Sequence, residues 1–202
     1  MREVELKGVF TDDAAAKAAR HALELAGARL TFEGRLEDRR YDQPDRALAL
    51  RDHVLRLRVY RDNAGRVERS SLDFKGPTGY ADGYKVREEH TVGGDDPDSL
   101  ARILELLGYV VTREIDRHIA QFEHAGATVR FERYPRMDTL VEVEGAPEAI
   151  ERAILALGVP RSAFTTERLP DFVMRFEQRT GQRAALCDRE LTGDYRYSAT
   201  DA

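Results

Sequence analysis

Residues 3–7 read Glu3-Val4-Glu5-Leu6-Lys7. Successive side chains of an extended strand point to opposite faces, so the three charges share one face and Val4 and Leu6 the other. The pattern recurs along the chain. Arg56 and Arg58 alternate with Leu55, Leu57 and Val59, and Asp73 and Lys75 with Leu72 and Phe74. Lys85, Arg87 and Glu89 follow Tyr84 and Val86, and Glu142 and Glu144 alternate with Val141 and Val143. Each segment reads as a period-two strand with one apolar and one charged face.

Two architectures satisfy such strands. One is an open antiparallel sheet with its charged face in water. The other is a closed barrel whose charges point inward and whose apolar outer face is covered by helices. The charges favour the barrel, because they come as compact pairs of one sign rather than as a mixed solvated face. Glu3 with Glu5 and Glu142 with Glu144 are acidic, and Arg56 with Arg58 is basic. Paired carboxylates suit a hard divalent cation, and paired guanidiniums suit phosphate oxygens. Together they describe a site for a metal-complexed polyphosphate.

The ordered series Glu3-Val4-Glu5-Leu6-Lys7, Leu55-Arg56-Leu57-Arg58, Phe74-Lys75-Gly76-Pro77, Arg87-Glu88-Glu89 and Val141-Glu142-Val143-Glu144 resembles the CYTH superfamily, the triphosphate tunnel metalloenzymes. The resemblance is to the bacterial class IV adenylate cyclase-like branch and spans roughly residues 1 to 175. It implies an α+β fold: a closed eight-stranded antiparallel β-barrel, a tunnel with a charged interior and helices packed outside. It also implies Mg²⁺ or Mn²⁺ as cofactor and a small-molecule triphosphate (ATP, tripolyphosphate or thiamine triphosphate) as substrate. Two reactions share that scaffold, and the motifs Phe74-Lys75-Gly76-Pro77 and Arg87-Glu88-Glu89 favour the first, conversion of ATP to cyclic AMP and pyrophosphate. In the alternative, water would attack the terminal phosphorus of tripolyphosphate or thiamine triphosphate. A non-catalytic module that only binds a phosphorylated ligand is the reading outside enzymology.

The resemblance carries over to individual residues. Glu3, Glu5, Glu142 and Glu144 match the metal carboxylates, and Glu132 falls where the family usually has Asp. Lys7, Arg56, Arg58, Lys75 and Arg87 match the phosphate binders. The family's late Lys-x-Arg pair becomes Ile115-Asp116-Arg117, so Arg117 matches the arginine and Ile115 replaces the lysine. Arg113, earlier on the same face, is a candidate to compensate. Lys75, Arg87 and Tyr41 are the catalytic candidates, since Tyr41 with Lys75 resembles a pair that positions water in some short triphosphatases. Lys85, Glu89 and Arg130 are further charges whose placement the sequence leaves open.

Length and composition set bounds. A chain of 202 residues, 42% apolar and 34% charged, buries one good core and is simplest as a single domain. A net charge of −5 argues against nucleic acid as partner. No apolar run approaches the roughly 20 residues of a membrane span, so no membrane is expected and the cytoplasm is the default. The single Cys187 excludes an intrachain disulfide. Monomer and homodimer are equally compatible with these features.

Four helices complete the expectation. The first, capped by Thr11 or Asp12, would bury Ala15, Ala18, Ala22 and Leu25 or Ala26 and end at Gly27. The second would bury Leu100, Ile103, Leu104 and Leu107. The third runs from Glu148 to Leu157 and the fourth from Leu169 to Arg179. Gly76 to Gly83 reads as a loop beside the site. Gly93-Gly94-Asp95-Asp96 is similar to the signature loop of diguanylate cyclases, but it sits at a strand-to-helix junction with Asp96 as cap before Pro97. The domain is expected over residues 1–180, with 181–202 a partly disordered tail and 198–202 disordered.

Overall fold

A computed structural model of the chain describes residues 2–195. Its strands are β1 (Arg2–Phe10), β2 (Arg29–Asp42), β3 (Val54–Arg61), β4 (Val67–Lys75), β5 (Gly79–Ala81), β6 (Tyr84–Gly94), β7 (Val110–His124), β8 (Ala127–Arg133), β9 (Thr139–Gly145) and β10 (Phe164–Thr165). Its helices are α1 (Asp13–Leu25), α2 (Pro97–Leu106), α3 (Pro147–Ala156), α4 (Leu169–Thr180) and α5 (Asp188–Thr192). Every pairing is antiparallel. The order β1-β9-β8-β7-β2-β3-β4-β6 returns to β1 through a β1–β6 pairing, so eight strands form a hydrogen-bonded ring. β5 and β10 are short additions at its rim. The fold is therefore α+β, an antiparallel sheet with helices. Among the described residues no helix is long and apolar enough to cross a membrane.

The two faces of each strand go to different environments. Leu6, Phe122, Val129, Phe131, Val141 and Val143 point outward into a core closed by α1 and α3. Leu57, Tyr41 and partly buried Leu55 and Leu72 point outward under α2. On the inner face, Ile115, Leu140, Tyr134 and partly buried Val9 meet Phe172, Val173 and Phe176 of α4, which covers one end of the ring. Elsewhere on that face Phe32, Leu36, Tyr60 and Ile119 make a small apolar cluster. Phe32 and Tyr60 pack edge to face at 5.3 Å, with the Arg69 guanidinium 4.0 Å above the Tyr60 ring.

Two helices bury faces other than those expected. α1 is capped by Asp12 as read, but it buries Ala16, Ala19 and Leu23, while Ala15 and Ala18 are exposed. Its alanines surround the helix, so small-residue spacing cannot choose a face and Leu23 decides it. α2 starts at Pro97 under the Asp96 cap and buries Ala101 and Leu104, leaving Ile103 and Leu107 53% and 69% exposed. The 76–83 stretch is also not wholly loop, because β5 pairs with β6 there.

The segment set apart as a tail is built into the core as far as it is described. Ala184 to Cys187 are buried. Ala185 exchanges backbone hydrogen bonds with Arg136 (2.8 and 3.1 Å), and Asp116 N–H donates to the Leu186 carbonyl at 2.7 Å. The residues are small or apolar but follow no helical or strand period, so pattern reading passes over them. Residues 198–202, expected to be disordered, lie outside the described residues.

Candidate active site

The register of the ring sets opposite charges beside one another on its inner face. Lys7 stands opposite Glu142, Glu3 opposite Arg87, Glu5 opposite Lys85, Arg56 opposite Asp73, and Arg58 opposite Asp38. The side chains close these juxtapositions into a network. Lys75 Nζ donates to both Glu3 oxygens at 2.6 Å and lies 3.2 Å from Glu89. Lys85 pairs with Glu5, and Lys7 bridges Glu5 (2.9 Å) and Glu142 (2.5 Å). Arg130 donates to Glu142 at 2.9 Å. Arg117 donates to Asp38 at 2.7 Å and to Glu132 at 3.0 Å, while Tyr134 Oη donates to the other Glu132 oxygen at 2.6 Å. Arg58 donates to Asp38 and Arg56 to Asp73, both at 3.0 Å.

Burial makes these charges strong. Asp38 would be pushed toward its neutral form by burial, but Arg117, Arg58 and Arg56 hold its carboxyl well below the ordinary range. Glu142 is likewise buried and held low by Lys7 and Arg130. Glu144, one turn of the pleat further on, goes the other way. Burial, then the negative charges of Glu142 and Glu3, push it up to about 7. Burial also lowers Lys85, with Lys7 adding repulsion. Burial lowers Arg87 too, and nearby Arg168 adds repulsion.

Two recesses open onto this network. The first, about 90 Å³, is predominantly basic: Lys7, Arg40, Arg56, Lys75, Lys85, Arg87, Arg117 and Arg168 line it, with Glu5, Asp38, Glu132 and Glu142 among them. That volume is about that of three waters, so side chains paired with one another occupy most of the interior. The second, about 810 Å³, is a wider mouth lined by Glu3, Glu89, Glu144, His90, Val4 and Arg130. Arg58 reaches both.

The residues expected at the site divide accordingly. Glu3, Glu5, Lys7, Arg56, Arg58, Lys75, Arg87, Arg117, Glu132, Glu142 and Glu144 all border one recess or the other. Glu132 is saturated by Arg117 and Tyr134. Arg87 is pinned at one edge, donating to the carbonyls of Gly76 (2.7 Å) and Asp52 (2.6 Å). Arg113 lines neither recess and sits 3.5 Å from Glu190 of α5. Ile115 packs in the apolar cluster under α4 and also borders the basic recess, to which it brings no charge. Tyr41 is a correction. It has the opposite parity to Asp38 and Arg40 and is buried on the outer face among Leu57, Ala101 and Leu104, so it shares no cavity with Lys75.

Sequence reading missed Asp38, Arg40 and Arg168 and left Lys85, Glu89 and Arg130 open. Thr128-Val129-Arg130-Phe131-Glu132 carries the alternation and was readable. In Glu37-Asp38-Arg39-Arg40 both faces are charged, so parity gives no inward side. Arg168 precedes a helix and belongs to no pattern.

The donor set here suits a hard divalent cation in its chemistry. Glu3, Glu142 and Glu144 are hard oxygen donors, and the upward shift of Glu144 marks a place where negative charge is under-neutralised. Among the described residues no three of the ligand-type side chains are gathered as a metal-holding group. Glu3 and Glu142 are turned to Lys75 and Lys7 instead.

The fold recurs in solved structures. A candidate adenylate cyclase from Vibrio parahaemolyticus superimposes with a TM-score of 0.69 at 19% identity, covering 85% of this chain and 97% of that one. The PH1819 protein from Pyrococcus horikoshii gives 0.67 at 24% identity, covering 86% and 98%. A candidate adenylyl cyclase from Hippeastrum, whose structure is described as revealing a dominant triphosphatase activity, gives 0.60 at 17% identity, covering 92% and 98%. No curated protein matches the chain. The CYTH domain model matches residues 1–148, a span holding all ten strands of the structure but β10 and every inward charge except Arg168. With the eight-strand ring and the alternating series on its inner face, that match makes this chain a member of the CYTH domain family.

Proposed function

We propose that the ring is a closed tunnel that binds the polyphosphate of a small triphosphate with Mg²⁺ or Mn²⁺, and that the chain is an enzyme that cleaves it. The observation that carries this is the concentration of Lys7, Arg40, Arg56, Arg58, Lys75, Lys85, Arg87 and Arg117 around one small buried recess. So many buried cations suit a ligand bearing about four negative charges. Fixed cations in a water-poor site stabilise the charge that develops on phosphoryl oxygens.

The same residues explain why the interior is stable without substrate. Lys7, Arg56, Arg58, Lys75, Lys85 and Arg117 each hold a carboxylate, so most of the buried charge is compensated. A triphosphate enters by exchange: its oxygens take the lysines and arginines, and the released Glu3 and Glu142 join Glu144 in holding the cation. A bound divalent ion would neutralise phosphate charge there. Arg58, which reaches both recesses, is placed to orient a phosphate chain between them.

Hydrolysis of the terminal phosphoanhydride is the reaction this interior supports best. Water adds at the terminal phosphorus, the bridging oxygen leaves with pyrophosphate from tripolyphosphate or with thiamine diphosphate from thiamine triphosphate, and the water proton passes to solvent. Among the described residues lining the basic recess the one aromatic is Tyr134, whose ring already faces the Arg117 guanidinium at 5.9 Å, and the charged lining suits phosphate oxygens better than a nucleobase. Class IV adenylate cyclase-like conversion of ATP is the second reading. Its cyclase-like motifs Phe74-Lys75-Gly76-Pro77 and Arg87-Glu88-Glu89 stand beside the site, and the 810 Å³ mouth has room for a nucleoside.

A discontinuous assay with Mg²⁺ and Mn²⁺, offering ATP, tripolyphosphate and thiamine triphosphate in parallel, separates these. Orthophosphate from tripolyphosphate or thiamine triphosphate without cyclic AMP is expected. Cyclic AMP and pyrophosphate would establish the cyclase. Calorimetric binding of tripolyphosphate without turnover of any of the three would make the chain a binding module.

A further inference from the structure

Three segments remote in sequence meet at one carboxylate beside the basic recess. Asp52 ends the short 3₁₀ turn Ala49–Arg51 in the left-handed region (φ 54°, ψ 33°), a conformation that Asp and Asn tolerate better than other non-glycine residues. Its Oδ2 accepts the Thr78 N–H at 2.6 Å, which ties down the 76–83 segment. Its Oδ1 accepts from Arg168, at the N-terminus of α4, at 3.1 Å and lies 3.8 Å from Arg87. Arg87 also donates to the Asp52 carbonyl. Both arginines line the recess.

We propose that Asp52 is an internal stand-in for phosphate at the mouth of this recess, and that Arg168 is a further phosphate-binding residue which Asp52 holds until a polyphosphate takes it over. This rests on the triphosphate reading given above. Three features support it. The Arg168 side chain is 45% exposed and that of Asp52 33%, so the pair sits where an entering solute meets it. An ion pair that open to water is weak, and a phosphate offers a guanidinium more charge and more acceptor oxygens than one carboxylate does. The Asp52 carboxyl is held below its ordinary range, against burial, by the Thr78 hydrogen bonds and the two arginines, so the stand-in stays charged near neutrality. When Arg168 turns to phosphate, the tie between α4 and the 76–83 segment loosens.

Asp52→Asn keeps the backbone preference and a carbonyl oxygen for Thr78 but removes the charge. With tripolyphosphate and Mg²⁺, Asp52→Asn is expected to lower KM several-fold, and Arg168→Ala to raise it about tenfold, with Arg168→Lys in between. In the Asp52→Asn, Arg168→Ala double variant the benefit of the first change should vanish. A tie with only a structural role would instead lower the melting temperature of Asp52→Asn and leave KM unchanged or higher, which overturns the proposal. So would equal calorimetric affinity of wild type and Arg168→Ala for tripolyphosphate, with the triphosphate reading left standing. A wild-type chain that binds no triphosphate removes both. Amide exchange across 76–83 gives a ligand-free check: Asp52→Gly should accelerate it, and unchanged exchange overturns the latch.

Discussion

The two recesses of the ring share strands β1, β3, β6, β8 and β9 and differ in what their charges lack. In the basic recess every carboxylate is matched: Glu142 lies against Lys7 and Arg130, and Asp38 against Arg117 and Arg58. At the wider mouth Glu144 faces the negative charges of Glu142 and Glu3, and its carboxyl is pushed up to about 7. Two glutamates two residues apart on β9 are thereby driven in opposite directions by their neighbours. One end of the interior gathers matched charges and the other an unmatched carboxylate, and on the proposed reading a metal-bound polyphosphate would complete both at once.

The largest effect that would break this division is on turnover. Arg58 is the side chain common to both recesses, so Arg58→Ala should reduce triphosphate cleavage by about 10²–10³-fold, the scale seen when one charge-stabilising donor is lost. A loss under tenfold in steady-state assays would mean that the two recesses act independently.

Removing Arg117 tests the matched end through stability. Arg117→Leu removes the cation shared by Asp38 and Glu132, both almost fully buried, and leaves them to Arg58 and to Tyr134, so it should cost about 3 kcal/mol in denaturant unfolding. Simultaneous replacement of Asp38 by Asn and Glu132 by Gln should recover part of that.

The unmatched end is tested by pH. The proton on Glu144 competes with a cation, so Mn²⁺ affinity should fall as pH drops below about 7 and approach a tenfold loss per unit. The fold itself shows the opposite trend when no cation is present. A carboxyl raised from 4.5 to about 7 binds its proton more tightly in the folded state. Its stabilisation is present below pH 4.5 and is lost as pH rises toward 7, by roughly 3 kcal/mol at most. Glu144→Gln should flatten both profiles, and an unaltered Mn²⁺ titration in that variant would remove Glu144 from the cation site.

The smallest effect belongs to the outer face. Tyr41→Phe should leave tripolyphosphate turnover within about twofold, since the ring packs under α2 away from the interior. A large loss of kcat at unchanged melting temperature would show that the outer face reaches the chemistry.

Much of this was legible from the chain. A strand's period of two is a local property, so Glu3-Val4-Glu5-Leu6-Lys7 and Val141-Glu142-Val143-Glu144 announce a charged and an apolar face without any partner. The order of such segments was enough to anticipate the ring and most of the charges on its inner face. Reading failed where local pattern is degenerate. α1 is alanine on every side, Glu37 to Arg40 is charged on both faces, and Tyr41 looked like a partner for Lys75 only until its parity was fixed by the packing of β2 under α2.

By itself, then, the sequence determined which strands carry a charged face, which signs stand on them, and the family to which the series belongs. Only the tertiary structure decided which charges meet. Cross-strand register placed Lys7 on Glu142 and left Glu144 beside like charges. The return of residues 184–187 to the core and the meeting of Asp52, Thr78 and Arg168 are likewise contacts between distant segments. Such contacts depend on how strands align and helices dock, and no periodicity within one segment encodes them.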